Sequence, residues 1–399
     1  MAFQLGKSGT PIKADFEYIV LGLGGFGSAA AYWLARTAGR EVLGLEQFEL
    51  GHVRGESQDH SRIIRLSYHT PEYVRLAQHA YATWREVERD SGERLVLRTG
   101  GLDLGPLVSA IPLSNYSESM ATAGVPFESL DADEIMRRWP PFRLTDDIHG
   151  LYQAESGIVM AAKANAVHQQ LARAHGAQLR ERTRISGIHA DGGEIRLDID
   201  GVAHRCRRLV ITAGAWSNHV LDAFDLQLPL TVTQEQVTYF ASPDLPQFAP
   251  ERFPIWIWMD DPCFYGFPVF GEAGVKAGQD AGGKEVTAES RSFEPDQDAL
   301  GRVKAFLKRC LPGALGPIIY TKTCLYTLTP DRDFVLDLVP GHSEAVIAIG
   351  GGHGFKFASL IGRILAQLAI HGHTDHPLET FRIDRPILQL ENPPKHYMV

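Results

Sequence analysis

The sequence predicts a mixed α/β protein in which one nucleotide-binding layer draws on both ends of the chain and an antiparallel sheet is interleaved with it. Three observations carry this. Phe16 to Ala35 reads as a short apolar strand, a glycine turn and a helix of small residues. Glu344 to Leu368 repeats that order near the other end. Between them, from about 225 to 320, stretches such as Pro254-Ile-Trp-Ile-Trp-Met259 and Cys263-Phe-Tyr-Gly-Phe-Pro-Val-Phe270 have the alternation and aromatic content of strands.

The length of 399 residues allows two domains, or one large domain with a second interleaved, and a hydrophobic fraction of 44% guarantees a core. A net charge of -9 without any dense lysine or arginine run argues against nucleic acid as a partner. No apolar stretch approaches the roughly 20 residues of a membrane-spanning helix. Residues 1–15 lack the apolar segment of a secretory signal and read as a loose lead-in. The four cysteines show no CxxC spacing, which fits free thiols in a reducing cytoplasm.

In the first unit Gly22, Gly24 and Gly27 stand at GxGxxG spacing. The first permits a tight turn, the second lets backbone approach a pyrophosphate, and the third lets helix pack on strand. The helix start then offers free N–H groups to phosphate. A second strand follows over 40–46, and Glu46 at its end, roughly 20 residues on, falls where a carboxylate accepts ribose hydroxyls. Strand, glycines, helix, strand and acid in register predict a Rossmann-like adenine dinucleotide site.

The chain then enters a polar, glycine-punctuated segment. Arg62 and Arg65, three apart, would share a face on a helical turn and form a fork for a flat carboxylate or carbonyl oxygens, with surface salt bridges as the plain alternative. Residues 71–88 have the spacing of an amphipathic packing helix, a strand follows near 97–105, and two helical pieces over 113–139 end at Pro140 and Pro141. A helix over 163–175 leads to strands over 178–216. There Gly214 and Trp216, with Ile185 before them, are candidate cofactor contacts. In the last unit Gly352, Gly354 and Lys356 occupy the glycine loop, whose N–H groups suit an electron-rich carbonyl. Just ahead of it, Cys324 lies among hydroxyl-bearing residues, in front of a short strand.

These residues resemble the monomeric sarcosine oxidase and N-methyltryptophan oxidase family, FAD-dependent amine oxidases that extend to fructosyl amino acid oxidases. The resemblance runs over nearly the whole chain. It rests on Gly22-Leu-Gly-Gly-Phe-Gly27, His52-Val-Arg-Gly55 leading to Ser61-Arg-Ile-Ile-Arg65, Tyr265-Gly-Phe-Pro268, Lys276, Lys322-Thr-Cys-Leu-Tyr-Thr327 and Gly352-His-Gly-Phe-Lys-Phe357. The Cys-x-Tyr-Thr segment is the most specific.

The resemblance implies FAD joined through a thioether to Cys324, oxidation of a small amino-acid-like amine to an imine, and transfer of electrons to O2 with release of hydrogen peroxide. It implies that Arg65 and Lys356 clamp a substrate carboxylate, that Arg62 lies near the flavin, that Lys276 assists oxygen reduction, and that Tyr265 and Tyr326 line the pocket. Ser61 joins the expected cofactor contacts. The FAD-binding domain is expected over 16–90, 150–224 and 321–385, and the substrate domain over 91–149 and 225–320. A cytoplasmic monomer without metal, nucleic acid or membrane is expected.

Two departures bear on substrate. The family often has Ser-His-His-Gly where this chain has Glu56-Ser-Gln-Asp59, so Gln58 replaces a histidine near the flavin. After Lys276 a Tyr-His pair is replaced by Gln279-Asp280, and an acid at Asp280 is similar to the fructosyl amino acid oxidases, with a solvated loop residue as the alternative. Cys206, Cys263 and Cys310 read as packing. A flavin dehydrogenase with another acceptor, or a nucleotide-sensing protein without turnover, are the rival readings.

Overall fold

The computed structural model describes residues 15–191 and 193–396, so the expected lead-in lies outside it apart from Asp15. Phe16–Leu21 is the hub of the first sheet. Val42–Leu45 and the end of Val202–Ile211 run parallel to it on either side. Gln178–Arg180 extends the sheet past one neighbour and His342–Ile349 past the other, both parallel. Strands from the two ends of the chain therefore share one layer. Ile19, Val20, Leu43, Val210 and Ile347 are fully buried, as in parallel sheets covered on both faces.

Helices Gly25–Ala38 and Ala358–His371 pack on this sheet and on each other, close enough that a Cβ on Gly362 would lie 2.4 Å from the Ala29 Cβ. Helix Pro71–Ser91 has the signals the sequence promised: Thr70 caps it by accepting from Tyr73 N at 3.4 Å, proline opens it, and Gly92 closes it at φ 72°.

Among the described residues the second sheet has nine strands, antiparallel throughout except where Gly101–Pro106 runs parallel to Ile255–Trp258. Helix Gln297–Cys310 backs it, with Phe306 stacked on Trp256 and Phe264. That helix lies inside a stretch read as strands. Its apolar positions at 299, 300, 303, 306, 307 and 310 have helical spacing, which the aromatic runs upstream overshadowed.

Cys324 does not precede a short strand. It sits within an eleven-residue one, Ile318–Leu328, paired along its length with Thr231–Phe240. The expected division at 320/321 falls inside that strand. Nor do Arg62 and Arg65 share a helical turn: Arg62–Ile64 is a strand paired with Gly157–Val159, and Arg65 follows its end. Among the described residues no helix is long and apolar enough to cross a membrane.

Candidate active site

A cavity of about 890 Å³ runs between the two sheets, near the upper end of the roughly 300–1,000 Å³ usual for ligand sites. Its wall includes Gly22, Gly24, Glu46, Gln58, Arg62, Arg65, Ile185, Gly214, Trp216, Tyr265, Lys276, Asp280, Cys324, Tyr326, Gly352, Gly354 and Lys356. Two expected contacts stand off it. Ser61 is buried beneath Lys276, and Gly27 packs inside, where a Cβ would lie 1.7 Å from Gly22 O. Cys263, read as packing, is buried in the core and also borders the cavity.

One end is a cradle of backbone. Gly22 holds φ +90°, and a Cβ there would lie 2.5 Å from Thr212 O, so only glycine fits. Gly24 caps the helix without a side chain, leaving its first turn open toward the cavity. Ser57 Oγ accepts from Gly25 N at 2.8 Å. Glu46 accepts from Leu23 N at 2.9 Å and Phe48 N at 3.0 Å. Burial opposes its charge, but His52 and these N–H groups prevail and hold the carboxyl below its ordinary range.

Midway along the cavity, burial pushes the Cys324 thiol up to about 12 against the pull of Arg62, so it stays protonated at neutral pH. Arg62 donates to Ser61 O at 2.9 Å and Glu56 O at 2.7 Å. Gln58 Nε2 donates to Thr323 O at 2.6 Å. Gln58 Oε1 and Asn165 Oδ1, both on residues of the wall, are buried oxygens with no partner among the described residues.

Lys276 Nζ lies 2.6 Å from Asp59 Oδ2, 2.9 Å from Ser61 O and 3.2 Å from Ser61 Oγ. Burial draws its ammonium down to about 8, with Asp59 resisting.

The far end is charged. Arg65 and Lys356 flank the Tyr68 ring, at 5.0 and 5.6 Å from its centroid. Arg65 Nη1 contacts Asp103 Oδ1 at 3.1 Å, and burial with the repulsion of Arg65 takes Lys356 down to about 7. Asp280 is no solvated loop residue. Its carboxylate receives Arg332 Nη1 at 2.6 Å and Nη2 at 3.3 Å, and both side chains belong to the wall. Burial raises the hydroxyl pKa values of Tyr265 and Tyr326, keeping both neutral.

Residues 17–368 match the FAD dependent oxidoreductase (DAO) family. The chain belongs to that family. It is 31% identical over 383 residues to monomeric sarcosine oxidase of Bacillus sp. (strain B-0618), covering 95% of this chain and 98% of the relative. It is 31% identical over 376 residues to N-methyl-L-tryptophan oxidase of Salmonella newport, covering 93% and 99%. Among solved structures, the open form of NikD, an unusual amino acid oxidase, aligns at TM-score 0.81 and 26% identity over 92% of this chain and 97% of that one. A fructosamine oxidase from Aspergillus fumigatus shares the fold at TM-score 0.79 and 19% identity over 96% and 92%.

This DAO chain is an FAD-dependent amine oxidoreductase. Its cavity fits the cofactor: a glycine cradle at an open helix start and an acid beyond it. Asp103 and Arg332 went unread in the sequence, and Asp59 was read only as the end of the Glu56-Ser-Gln-Asp59 stretch. Asp103 did leave a signal, as the one charge in the apolar strand Gly101–Pro106.

Proposed function

We propose that this protein oxidises the C–N bond of an N-substituted amino acid to an imine, with FAD fastened to Cys324 Sγ and O2 reduced to hydrogen peroxide, as a cytoplasmic monomer. The reading is carried by one convergence. Glycine turns from both ends of the chain, one thiol and two cations border a single cavity. Bound FAD accepts two electrons from the amine carbon and nitrogen.

The chain's own residues supply the rest. Gly22 and Gly24 leave room for the pyrophosphate, and the helix after them offers its N–H groups. Arg65 and Lys356 hold the carboxylate and so fix the amine carbon. Tyr265 and Tyr326 give the amine an uncharged, water-poor wall, which favours its neutral, electron-donating form. No protein base is needed once the amine has bound without its proton.

Two observations favour narrower variants. The Asp280 carboxylate at the wall offers an acceptor, which suits a hydroxylated N-substituent such as a fructosyl group. The Asp59–Lys276 pair suits an acceptor other than O2. An amine panel decides. Sarcosine, other N-methyl amino acids, pipecolate, proline and fructosyl amino acids are each mixed anaerobically with the holoprotein, then with air. Flavin bleaching by one of them followed by peroxide release supports the proposal, and bleaching by none of them overturns it.

A further inference from the structure

The ammonium of Lys276 has three N–H donors. Three acceptors stand within reach of them: Asp59 Oδ2 at 2.6 Å, Ser61 O at 2.9 Å and Ser61 Oγ at 3.2 Å. The Phe267 ring closes another side at 4.6 Å from Nζ. Lys276 thus meets the cavity as a saturated ion pair and not as an open cation.

Asp59 is itself fixed for this arrangement. It is buried, and its backbone holds φ +86°, which an L-residue adopts only at a cost when its surroundings demand it. The Tyr239 hydroxyl donates toward both carboxylate oxygens at 3.0 Å, and Lys322 Nζ stands 4.0 Å from Oδ1. Burial favours the neutral acid, but Lys276 and Arg62 overcome it and keep Asp59 ionised.

An ionised carboxylate touching a cation cancels most of the field that cation would project into a water-poor cavity. When reduced flavin anion meets dioxygen, two electrons from the flavin, its N–H proton and one solvent proton pass to O2. Oxidised flavin and hydrogen peroxide remain. The first electron creates superoxide, and a nearby positive charge with a free N–H stabilises that developing negative charge. We propose that Asp59 is a positioning residue that restrains the oxygen reaction by holding Lys276 in a closed ion pair. This rests on the reading of the cavity as an FAD site. It adds that oxygen reactivity is held below what the cation at position 276 would support alone.

The test uses the holoprotein and its Asp59→Gly and Asp59→Asn variants. Glycine adopts φ +86° freely, so Asp59→Gly removes the carboxylate without backbone strain, while Asp59→Asn keeps the shape and removes the charge. Each is reduced anaerobically with dithionite and mixed with oxygenated buffer at pH 6 in a stopped-flow instrument, because without the support of Asp59 the Lys276 ammonium titrates below about 8. The second-order reoxidation rate should rise roughly tenfold or more in Asp59→Gly and less in Asp59→Asn, as one freed charge acts on the developing anion. Chloride titration of the oxidised flavin is the second readout. Against gluconate at matched ionic strength, the freed ammonium should give Asp59→Gly a saturable absorbance change that the native protein lacks. Equal or slower reoxidation in Asp59→Gly overturns the proposal. Because dithionite supplies the electrons, the reoxidation rate is independent of any amine. Flavin that no amine bleaches therefore sinks the functional reading alone, and a protein that holds no flavin sinks both.

Discussion

Arg65 Nη1 lies 3.1 Å from Asp103 Oδ1, with both side chains buried, so this guanidinium meets the cavity with its charge already matched. Arg332 is matched likewise by Asp280. Of the charged groups at the far end, Arg65, Lys356 and Arg332 set against Asp103 and Asp280, one positive charge is left over. That is the charge of one carboxylate, and Lys356 is the group whose proton decides whether it is there.

Carboxylate affinity should therefore follow Lys356. Its folded value of about 7 lies below the ordinary lysine range, so the ammonium is present below pH 7 and is lost as the pH rises through it. A simple carboxylate with no amine, titrated by flavin difference spectra, should bind best at pH 6. It should weaken by up to about tenfold per unit above pH 7. Lys356→Met should remove the dependence and leave weak binding at every pH.

Asp103→Asn should produce two effects of opposite sign. Breaking a buried pair from one side strands a charge, at a cost of about 3–5 kcal/mol, readable as a lower denaturation midpoint. The same change leaves Arg65 unneutralised beside the cavity, so the simple carboxylate should bind more tightly than to the native protein.

Cys324→Ser should separate attachment from binding. In the native protein the yellow colour should stay with acid-precipitated protein, and in the variant it should pass to the supernatant. FAD content before precipitation should stay near one per chain, because the glycine cradle is unaltered.

Gly27→Ala and Gly301→Ala should behave in opposite ways. At Gly27 the new carbon would lie 1.7 Å from a backbone oxygen, so strand and helix must separate. Overpacking of this kind costs about 3 kcal/mol or more, and FAD should be lost with it. Gly301 lies within Gln297–Cys310 with open space around it, where alanine should stabilise by about 0.5–1 kcal/mol. Chemical denaturation of both variants checks the pair.

The cradle was legible because its chemistry is local. The order of Gly22, Gly24, Gly27 and Glu46 fixes a turn, a close approach and an acid within one strand–helix–strand unit. The charged end was less legible because its partners are remote in sequence. Arg65 meets Asp103 and Asp280 meets Arg332 only once the second sheet has formed, and nothing in the spacing of single residues announces such pairs. The segment holding Arg62 and Arg65 was misread for a related reason. Three residues are too few to display a period, and pairing with Gly157–Val159 settled it as a strand. Asp59 lies in the Glu56–Asp59 stretch that departs from the family pattern, but that it would grip Lys276 required the fold.

Cys324 belongs to the second sheet, through its pairing with Thr231–Phe240, whereas the glycine cradle belongs to the first, at the end of Phe16–Leu21. A cofactor seated in the cradle and bonded to that sulfur becomes a rivet through two layers that no strand joins among the described residues. Heat could then not loosen one layer and spare the other, so the holoprotein should melt in a single step, and the Cys324→Ser form is where a two-step transition would first emerge.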